Sequence, residues 1–293
     1  MLGALIGDII GSQYEYIDAK GRDLPLYEKN KSTFTDDSIL SLATAKALTS
    51  NTRDFKTAYL DYFHGYSGQK ANGPGVGPGF GGMFVRWAMG EDEEYAPYNS
   101  WGNGGAMRVS PIVWFASDEA EALDLAEQSA SVTHNHVEGV KGAQAIVLAG
   151  FMARQGSSKD DIYAAITDRF GYRFNFTLDH LHEHYFFAET AHQSVPQAIM
   201  CALEASCYED AIRNVLYIGG DTDTLAAMAG TISQAMHGLP KRFYRYLEPL
   251  KLYAPNLYSE AIEFHMTYCE CNEPHVLDIK PVYRFIRLLR KQY

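Results

Sequence analysis

Two short clusters of carboxylates and hydroxyls, far apart in the chain, contain the side chains best suited to chemistry. The first reads Phe34-Thr35-Asp36-Asp37-Ser38, and the second reads Gly219-Gly220-Asp221-Thr222-Asp223-Thr224. Apolar residues at helical spacing follow each cluster, so each is expected at a helix N-terminus. Asp and Thr often cap such ends by accepting hydrogen bonds from backbone N–H groups. Oxygen donors at this density are also what Mg²⁺, Mn²⁺ and Ca²⁺ prefer.

These clusters allow two interpretations, a shared metal centre and two independent helix caps. If the helix starts met, Asp36, Asp37, Asp221 and Asp223 would crowd together. One pair of like charges at roughly 4 Å costs about 4 kcal/mol at an effective dielectric near 20. Helix dipoles return only about 0.3–1 kcal/mol per carboxylate. Divalent cations would balance the charge, so the first interpretation is a binuclear metal centre. The second interpretation places two ordinary N-caps on opposite sides of the molecule.

The N-terminal segment is predicted to be a helix with a smooth ridge of glycines. Gly3, Gly7 and Gly11 are four residues apart, and interior glycines cost about 1 kcal/mol each, so this helix needs a closely packed neighbour. Asp8 and Glu15 are seven residues apart and would project from nearly the same face. Either both acids point toward the metal cluster, or both lie solvated at the edge of a buried amphipathic helix.

A glycine-rich stretch and a small-residue segment are candidates for contacts with a ligand. The stretch from Gly65 to Gly82 lacks the Gly-Lys-Ser/Thr of a phosphate-binding P-loop, and is either a mobile loop or a lid. The segment from Asn103 to Arg108 has small residues that let a ligand approach the backbone, and Arg108 could clamp a phosphate. Its alternative is a tight turn before Pro111.

Two histidines, His134 and His136, separate a predicted helix that begins near Asp118 from an alanine-rich helix over residues 137–155. Histidines two residues apart indicate a metal site only weakly, and capping or hydrogen bonding is the alternative. The residues from Tyr172 to Leu178 alternate like a strand, although the histidine-rich run after them leaves that assignment open. Helical periodicity dominates elsewhere, which predicts one mostly helical domain.

Composition narrows the class of protein further. The chain has 293 residues, 46% of them apolar and 21% charged, as in a soluble globular protein. Its formal net charge of −11 argues against general binding of nucleic acids or anionic membranes. No apolar run is long enough to span a membrane, and a cytoplasmic location is expected. The cysteines are expected to be free thiols, at Cys201, Cys207, Cys269 and Cys271.

In their order along the chain, five motifs resemble those of the ADP-ribosylglycohydrolase family. They are Gly3-Ala4-x-x-Gly7-Asp8-x-x-Gly11 with Glu15, Phe34-Thr35-Asp36-Asp37-Ser38, Gly102-Asn103-Gly104-Gly105-Ala106-Met107-Arg108, His134-Asn135-His136, and Gly219 to Thr224. The resemblance covers roughly residues 1–240. It implies an all-α, single-domain orthogonal helical bundle over residues 1–293, with a cleft that holds two divalent cations, Mg²⁺ or Mn²⁺. It also implies hydrolysis of the bond between C1″ of the distal ribose of ADP-ribose and an acceptor.

Carried over position by position, the resemblance implies a role for each motif residue. The implied metal ligands are Thr35, Asp36, Asp37, Asp221, Asp223 and Thr224. The implied catalytic carboxylates are Glu15, Asp36 and Asp223. The implied contacts to ADP-ribose are Asn103, Gly104, Gly105, Met107, Arg108, His134 and His136. Ser38, Thr133 and Val137 depart from residues frequent in the family, at the edge of the nucleotide pocket.

The resemblance leaves the substrate and the proton acceptor open. Expected partners are ADP-ribose and an ADP-ribosylated protein or small molecule. The alternatives are a related metallohydrolase acting on small ADP-ribose derivatives and a non-catalytic relative that binds ADP-ribose, because a fold alone does not fix a function. Which carboxylate takes the proton does not follow from the sequence.

Overall fold

A computed structural model describes residues 1–17, 19–67, 79–91 and 95–269. In these ranges every regular element is helical, which confirms the all-α class, and one isolated antiparallel bridge pairs Gly102 with Thr190. The α-helices are α1 (Leu2–Gly11), α2 (Asp36–Thr49), α3 (Phe55–Tyr66), α4 (Gly82–Ala88), α5 (Gly104–Met107), α6 (Ser110–Phe115), α7 (Glu119–Ser131), α8 (Val137–Arg154), α9 (Lys159–Phe170), α10 (Leu178–His184), α11 (Ala191–Leu203), α12 (Tyr208–Ile218), α13 (Thr222–His237), α14 (Glu248–Tyr253) and α15 (Pro255–Phe264). Shorter 3₁₀ segments cover Ser12–Tyr14 and Lys241–Leu247, and a π-helical turn covers His265–Cys269.

Helix α13 lies at the centre of the fold. Every residue from Thr222 to Ala235 is buried, and α1, α8, α11 and α12 all pack against this helix. Because the second acidic cluster contains the first residues of α13, that cluster is fixed to a helix that is buried along nearly all of its length.

The glycine ridge of α1 packs directly against α13. A Cβ atom added at Gly3, Gly7 or Gly11 would lie 2.6, 2.1 or 2.2 Å, respectively, from a backbone carbonyl oxygen of α13. These distances are shorter than any side chain allows, so only glycine permits this approach of the two backbones. The predicted requirement for close packing is therefore confirmed, and it brings the N-terminal segment to the start of α13.

The N-terminal helix is shorter than the spacing of its acids predicts. It ends at Gly11 and a 3₁₀ turn follows, so Asp8 and Glu15 do not lie on one continuous α-helix. Both acids nevertheless lie near Asp223, as expected if they point toward the acidic cluster. At this point Ser12 Oγ donates to the carbonyl of Ile9 at 3.1 Å, and Gln13 Nε2 donates to the carbonyl of Ile10 at 3.3 Å. Such side-chain bonds to the backbone compete with the helical pattern.

Four further sequence predictions concern the segment before α10, the cysteines, membrane-spanning helices and the number of domains. The strand-like segment before α10 forms neither strand nor helix up to Thr177, which caps α10 by accepting from His180 N at 3.1 Å. The three cysteines in the described ranges, Cys201, Cys207 and Cys269, are buried and form no disulfide with one another. None of the described helices combines the length and apolar character needed to cross a membrane. The single domain over residues 1–293 stays a prediction, since the described ranges end at residue 269.

Candidate functional site

The two acidic clusters meet in space. Thr224 Oγ1 donates to Asp37 Oδ2 at 3.3 Å, so the starts of α13 and α2 are in contact. Carboxylate oxygens of Glu15, Asp221 and Asp223 all lie within 4.8 Å of one another. The interpretation of two independent caps on opposite sides of the molecule is therefore wrong.

Asp8 holds the start of α2 in place from the neighbouring helix α1. This carboxylate is completely buried and accepts from Thr35 N at 3.0 Å, Thr35 Oγ1 at 2.8 Å and Ser38 N at 3.1 Å, as well as from the Ser38 hydroxyl. Burial raises the pKa of Asp8 to about 6, and these hydrogen bonds oppose the rise. The prediction of a solvated acid at the helix edge is wrong for Asp8. The signal in the sequence was the position of Asp8 between Gly7 and Gly11, which places its carboxylate where it can support the start of α2.

Two glycines make the turn that begins α13. Gly219 and Gly220 have φ angles of 72° and 92°, in the left-handed region that favours glycine. The carboxylate of Asp221, at the N-cap position of α13, makes no capping hydrogen bond. Instead it accepts from Asn103 Nδ2, while Asp223 Oδ1 accepts from Thr224 N at 2.9 Å. Capping therefore does not account for Asp221.

Burial and mutual repulsion raise the pKa values of the clustered carboxyl groups. The pKa of Asp36 rises to about 8 through burial and the charges of Asp8 and Glu15, and that of Glu15 rises to about 8 through burial and the charge of Asp223. Burial, followed by neighbouring aspartates, raises the pKa of Asp37 and Asp223 well above the usual range. Without cations the cluster therefore retains protons near neutral pH.

The residues present suit divalent cations. Asp37 Oδ1 is buried and has no hydrogen-bond partner among the described residues, so this oxygen lacks the compensation that burial of a polar atom requires. The hydroxyls of Thr35 and Thr224, one from each helix start, lie 3.3 Å from the other oxygen of this carboxylate, Oδ2. Carboxylate and hydroxyl oxygens are the preferred ligands of Mg²⁺ and Mn²⁺. Five of the six implied ligands line one cleft: Asp36, Asp37, Asp221, Asp223 and Thr224. Thr35 lies beside them, at 3.3 Å from Asp37 Oδ2.

The cleft encloses about 290 Å³. Gly79, Gly81 and Gly82, from the end of the glycine-rich stretch, form part of its wall with Met83 and Phe84. The lid and loop interpretations of this stretch concern residues 68–78, which lie outside the described residues.

Most of the residues expected to contact ADP-ribose also line this cleft. These residues are Asn103, Gly104, Met107, Arg108 and His134. Gly105 packs against His134 behind the lining, where an added Cβ would lie 3.1 Å from the Cβ of His134. The structure therefore brings most of this group together around the acidic cluster.

The side chain of Arg108 is fixed by contacts within the protein. Its side chain is completely buried, and Nη2 donates to Ser129 O at 2.9 Å and Thr133 Oγ1 at 2.8 Å. The guanidinium also lies over the ring of Tyr59, 4.2 Å from the ring centroid. The role that follows directly from these contacts is support of the cleft wall by a fixed positive charge.

The two histidines have different positions. His134 is buried and pairs through Nδ1 with Thr133 Oγ1 at 2.8 Å, and burial together with the charge of Arg108 lowers its pKa well below the usual range. It is therefore neutral near pH 7. His136 accepts from Glu138 N at 3.1 Å and caps α8, with its ring 5.8 Å from that of Trp101. The capping alternative holds for His136.

Three further cleft residues were missed from the sequence. Tyr16, Tyr98 and Glu189 line the cleft beside the predicted residues. Tyr16 directly follows Glu15, which was a usable signal. Tyr98 and Glu189 lie in irregular segments without a recognisable pattern, so only the fold reveals them.

Comparisons with known proteins agree with this arrangement. A model of the ADP-ribosylglycohydrolase family matches residues 1–265. Human ADP-ribosylhydrolase ARH3 is 26% identical over 311 residues, covering 82% of this chain and 84% of that protein, and the Danio rerio protein of the same name is 24% identical over 306 residues, covering 82% of each. A solved structure described as an ADP-ribosylglycohydrolase-related protein complex superposes with a TM-score of 0.66 at 22% identity, over 90% of this chain and 95% of that one. At this identity the structural match supports the fold alone.

Proposed function

The chain belongs to the ADP-ribosylglycohydrolase family and is a glycohydrolase, and we propose that it releases ADP-ribose from ADP-ribosylated acceptors. The bond cleaved is the glycosidic bond at C1″ of the distal ribose, and the reaction depends on two divalent cations, Mg²⁺ or Mn²⁺. The observation that supports this proposal best is the contact of the two helix starts at Asp37, whose Oδ2 accepts from Thr224 Oγ1 at 3.3 Å while its buried Oδ1 has no hydrogen-bond partner among the described residues.

We assign the cations to the oxygen donors of both helix starts. The proposed ligands are Thr35, Asp36, Asp37, Asp221, Asp223 and Thr224. When bound, such cations supply Lewis acidity, which polarises oxygen groups and makes water more acidic. They would also replace the protons that the metal-free cluster retains.

The carboxylates of the chain itself supply the remaining chemistry. Cleavage of a glycoside develops positive charge at the anomeric carbon, and fixed carboxylates stabilise that charge. We assign this stabilisation and the transfer of the proton to Glu15, Asp36 and Asp223. Glu15 and Asp36 are partly exposed to the cleft, so they can exchange protons with water there.

The ADP-ribose half of the substrate is assigned to the wall around Asn103. Glycine at position 104 lets the backbone lie close to the ring of His134, because an added Cβ there would lie 2.9 Å from His134 Nε2. Arg108 places a positive charge in this wall, which favours an anionic diphosphate. Gly105, Met107, His134 and His136 complete the proposed contacts.

A product assay tests the proposal. The protein is incubated with ADP-ribose linked to arginine, serine, a nucleic acid and a small molecule, with Mg²⁺, with Mn²⁺ or with a chelator. We expect free ADP-ribose from at least one conjugate, and loss of that activity in the chelator. Equal rates with and without chelator would contradict the metal-dependent mechanism, and binding of ADP-ribose without turnover of any conjugate would indicate a non-catalytic relative.

A further inference from the structure

Exposed apolar side chains lie on two segments that each reach the cleft, one at Tyr16 and the other at Glu189. We call Tyr16, Ile17, Phe186 and Phe187 the aromatic rim; their exposed fractions are 79%, 56%, 78% and 40%. The rim combines two segments that are distant in sequence, and the rings of Tyr16 and Phe187 stack with centroids 6.0 Å apart at 29°. Exposed apolar groups that cluster in this way mark interaction sites on soluble proteins.

Fixed backbone contacts hold the rim in this exposed position. Tyr185, before the two phenylalanines, is buried against the α13 turn, where a Cβ at Gly220 would lie 2.7 Å from Tyr185 Cε1. The carbonyl of Tyr185 accepts from Lys20 Nζ. At the other end, the carbonyl of Glu189 accepts from Asn103 N at 2.7 Å. The segment that carries Phe186 and Phe187 is therefore anchored on both sides.

The rim is continuous with the reacting carboxylates. Tyr16 lines the cleft directly beside Glu15, whose carboxylate lies within 4.8 Å of Asp221 and Asp223. The rim shares no residue with the wall assigned to ADP-ribose. A substrate with its anomeric carbon at the carboxylates and its ADP-ribose half on that wall leaves the rim to its other half.

We propose that the aromatic rim binds the acceptor half of the substrate and selects acceptors with a flat aromatic group next to the scissile bond. This inference rests on the proposed function. Rings of this kind stack on Tyr16 and Phe187 and remove apolar surface from water. A second copy of the chain is the competing occupant, and it would cover the mouth of the cleft.

Two synthetic conjugates test this selection. The 1″-O-methyl and 1″-O-benzyl glycosides of ADP-ribose, in the same anomeric form, differ in a ring but have alcohol leaving groups of similar basicity. For the unmodified protein we expect kcat/KM to favour the benzyl conjugate about tenfold, which corresponds to about 1.4 kcal/mol. In the double variant Phe186→Ala, Phe187→Ala the ratio should fall toward one. The ratio cancels any loss common to both conjugates.

Leu252→Ala is the matched control, since this leucine is also exposed, at 57%, but lies on α14. It should keep the tenfold ratio, and thermal melts establish that each variant is folded. Hydrolysis of both conjugates with equal efficiency by the unmodified protein would overturn the inference alone. A tenfold ratio that survives in the double variant would also overturn it, as would a dimer, seen by sedimentation, that the double variant dissociates without a change in the ratio. Hydrolysis of neither conjugate would overturn the inference, and it would overturn the proposed function as well only if the product assay above also released no ADP-ribose.

Discussion

Asn103 Nδ2 donates to Asp221 Oδ2 over 2.7 Å, across 118 residues of sequence. This hydrogen bond orients the carboxylate of Asp221, which makes no capping hydrogen bond to the backbone of α13. The wall assigned to ADP-ribose and the start of α13 are thereby joined, so a change at Asn103 should be felt in the binding of cations.

Asn103→Ala removes the donor that orients Asp221. We expect metal affinity to fall about 10–100-fold, the range found when an outer hydrogen-bond partner of a ligand is lost. Titration calorimetry with Mn²⁺ measures the change. Asn135→Ala is the control, because Asn135 makes its hydrogen bond to Asn99 N in an exposed loop. Unchanged affinity in Asn103→Ala would contradict the orienting role.

Asp223→Asn keeps the size of the side chain and a neutral oxygen but removes a charge from the cluster. We expect turnover to fall at least about 10²-fold, as for the loss of a positioned electrostatic group, with the fold retained. The measurement is the hydrolysis rate against added Mg²⁺ or Mn²⁺, beside a thermal melt. Asp118→Asn is the control, since Asp118 caps α7 and Asn caps almost as well. Wild-type rates from Asp223→Asn in chelator would end the assignment of a metal centre.

The metal-free protein should lose stability as pH rises toward 8. Glu15 and Asp36 have folded pKa values raised to about 8, above unfolded values of about 4. Each therefore keeps a proton in the folded state that the unfolded chain has released, and the free energy of unfolding falls as pH rises through this window. His265 has a pKa lowered to about 4, so its contribution to the free energy of unfolding increases as pH rises, chiefly below about pH 6.5.

Thermal melts in chelator at about pH 6.5 and about pH 8.5 measure this dependence. We expect a lower Tm at the higher pH, and a smaller difference with excess Mg²⁺, because cations replace the retained protons. In the double variant Glu15→Gln, Asp36→Asn the difference should become smaller, and the remainder belongs to Asp37 and Asp223, whose pKa values are also raised. A Tm that rises with pH in chelator would show that the carboxyl groups do not retain protons.

Gly7→Ala should separate α1 from α13. The added methyl group would lie 2.1 Å from the carbonyl oxygen of Ala226, a backbone atom that cannot rotate away. Overpacking of this kind costs about 1–3 kcal/mol, which urea unfolding measures. Gly65→Ala on α3 is the control, since nothing lies within 4 Å of its added Cβ and alanine favours a helix interior. Equal stability of both variants would contradict the close contact.

Local patterns were enough to predict the helical class, the two acidic helix starts and the need for close packing at the glycine ridge. Each of these depends on neighbours within a few residues. The helix predicted to begin near Asp118 is one example, since Asp118 Oδ1 accepts from Glu121 N and Glu121 Oε2 accepts from Ser117 N at the start of α7. Near the end of α1, side-chain bonds of Ser12 and Gln13 shortened the helix, an effect that periodicity does not include.

The site needed information that no local pattern contains. The contact between Asp37 and Thr224 depends on how α1 places α2 against α13. The hydrogen bond of Arg108 to Ser129 O depends on the position of α7, which no local pattern reveals. The phosphate clamp stays a prediction, because the buried Nε and Nη1 of Arg108 have no hydrogen-bond partner among the described residues. The five motifs, in their order along the chain, resemble one family, and this resemblance implied that the two acidic clusters form one metal site. The spacing of the residues alone left that open.

The contact between the two helix starts has a consequence for the order of events during synthesis. Thr35 and Asp37 leave the ribosome early, but Thr224 follows only after another 187 residues. Until then the first half of the acidic cluster has no counterpart, and its long-range closure belongs to the slow part of folding. Cations that bridge the completed halves would hold the early and late parts of the chain together. A nascent chain that stops before α13 should therefore retain cations poorly, however well its first helices have formed.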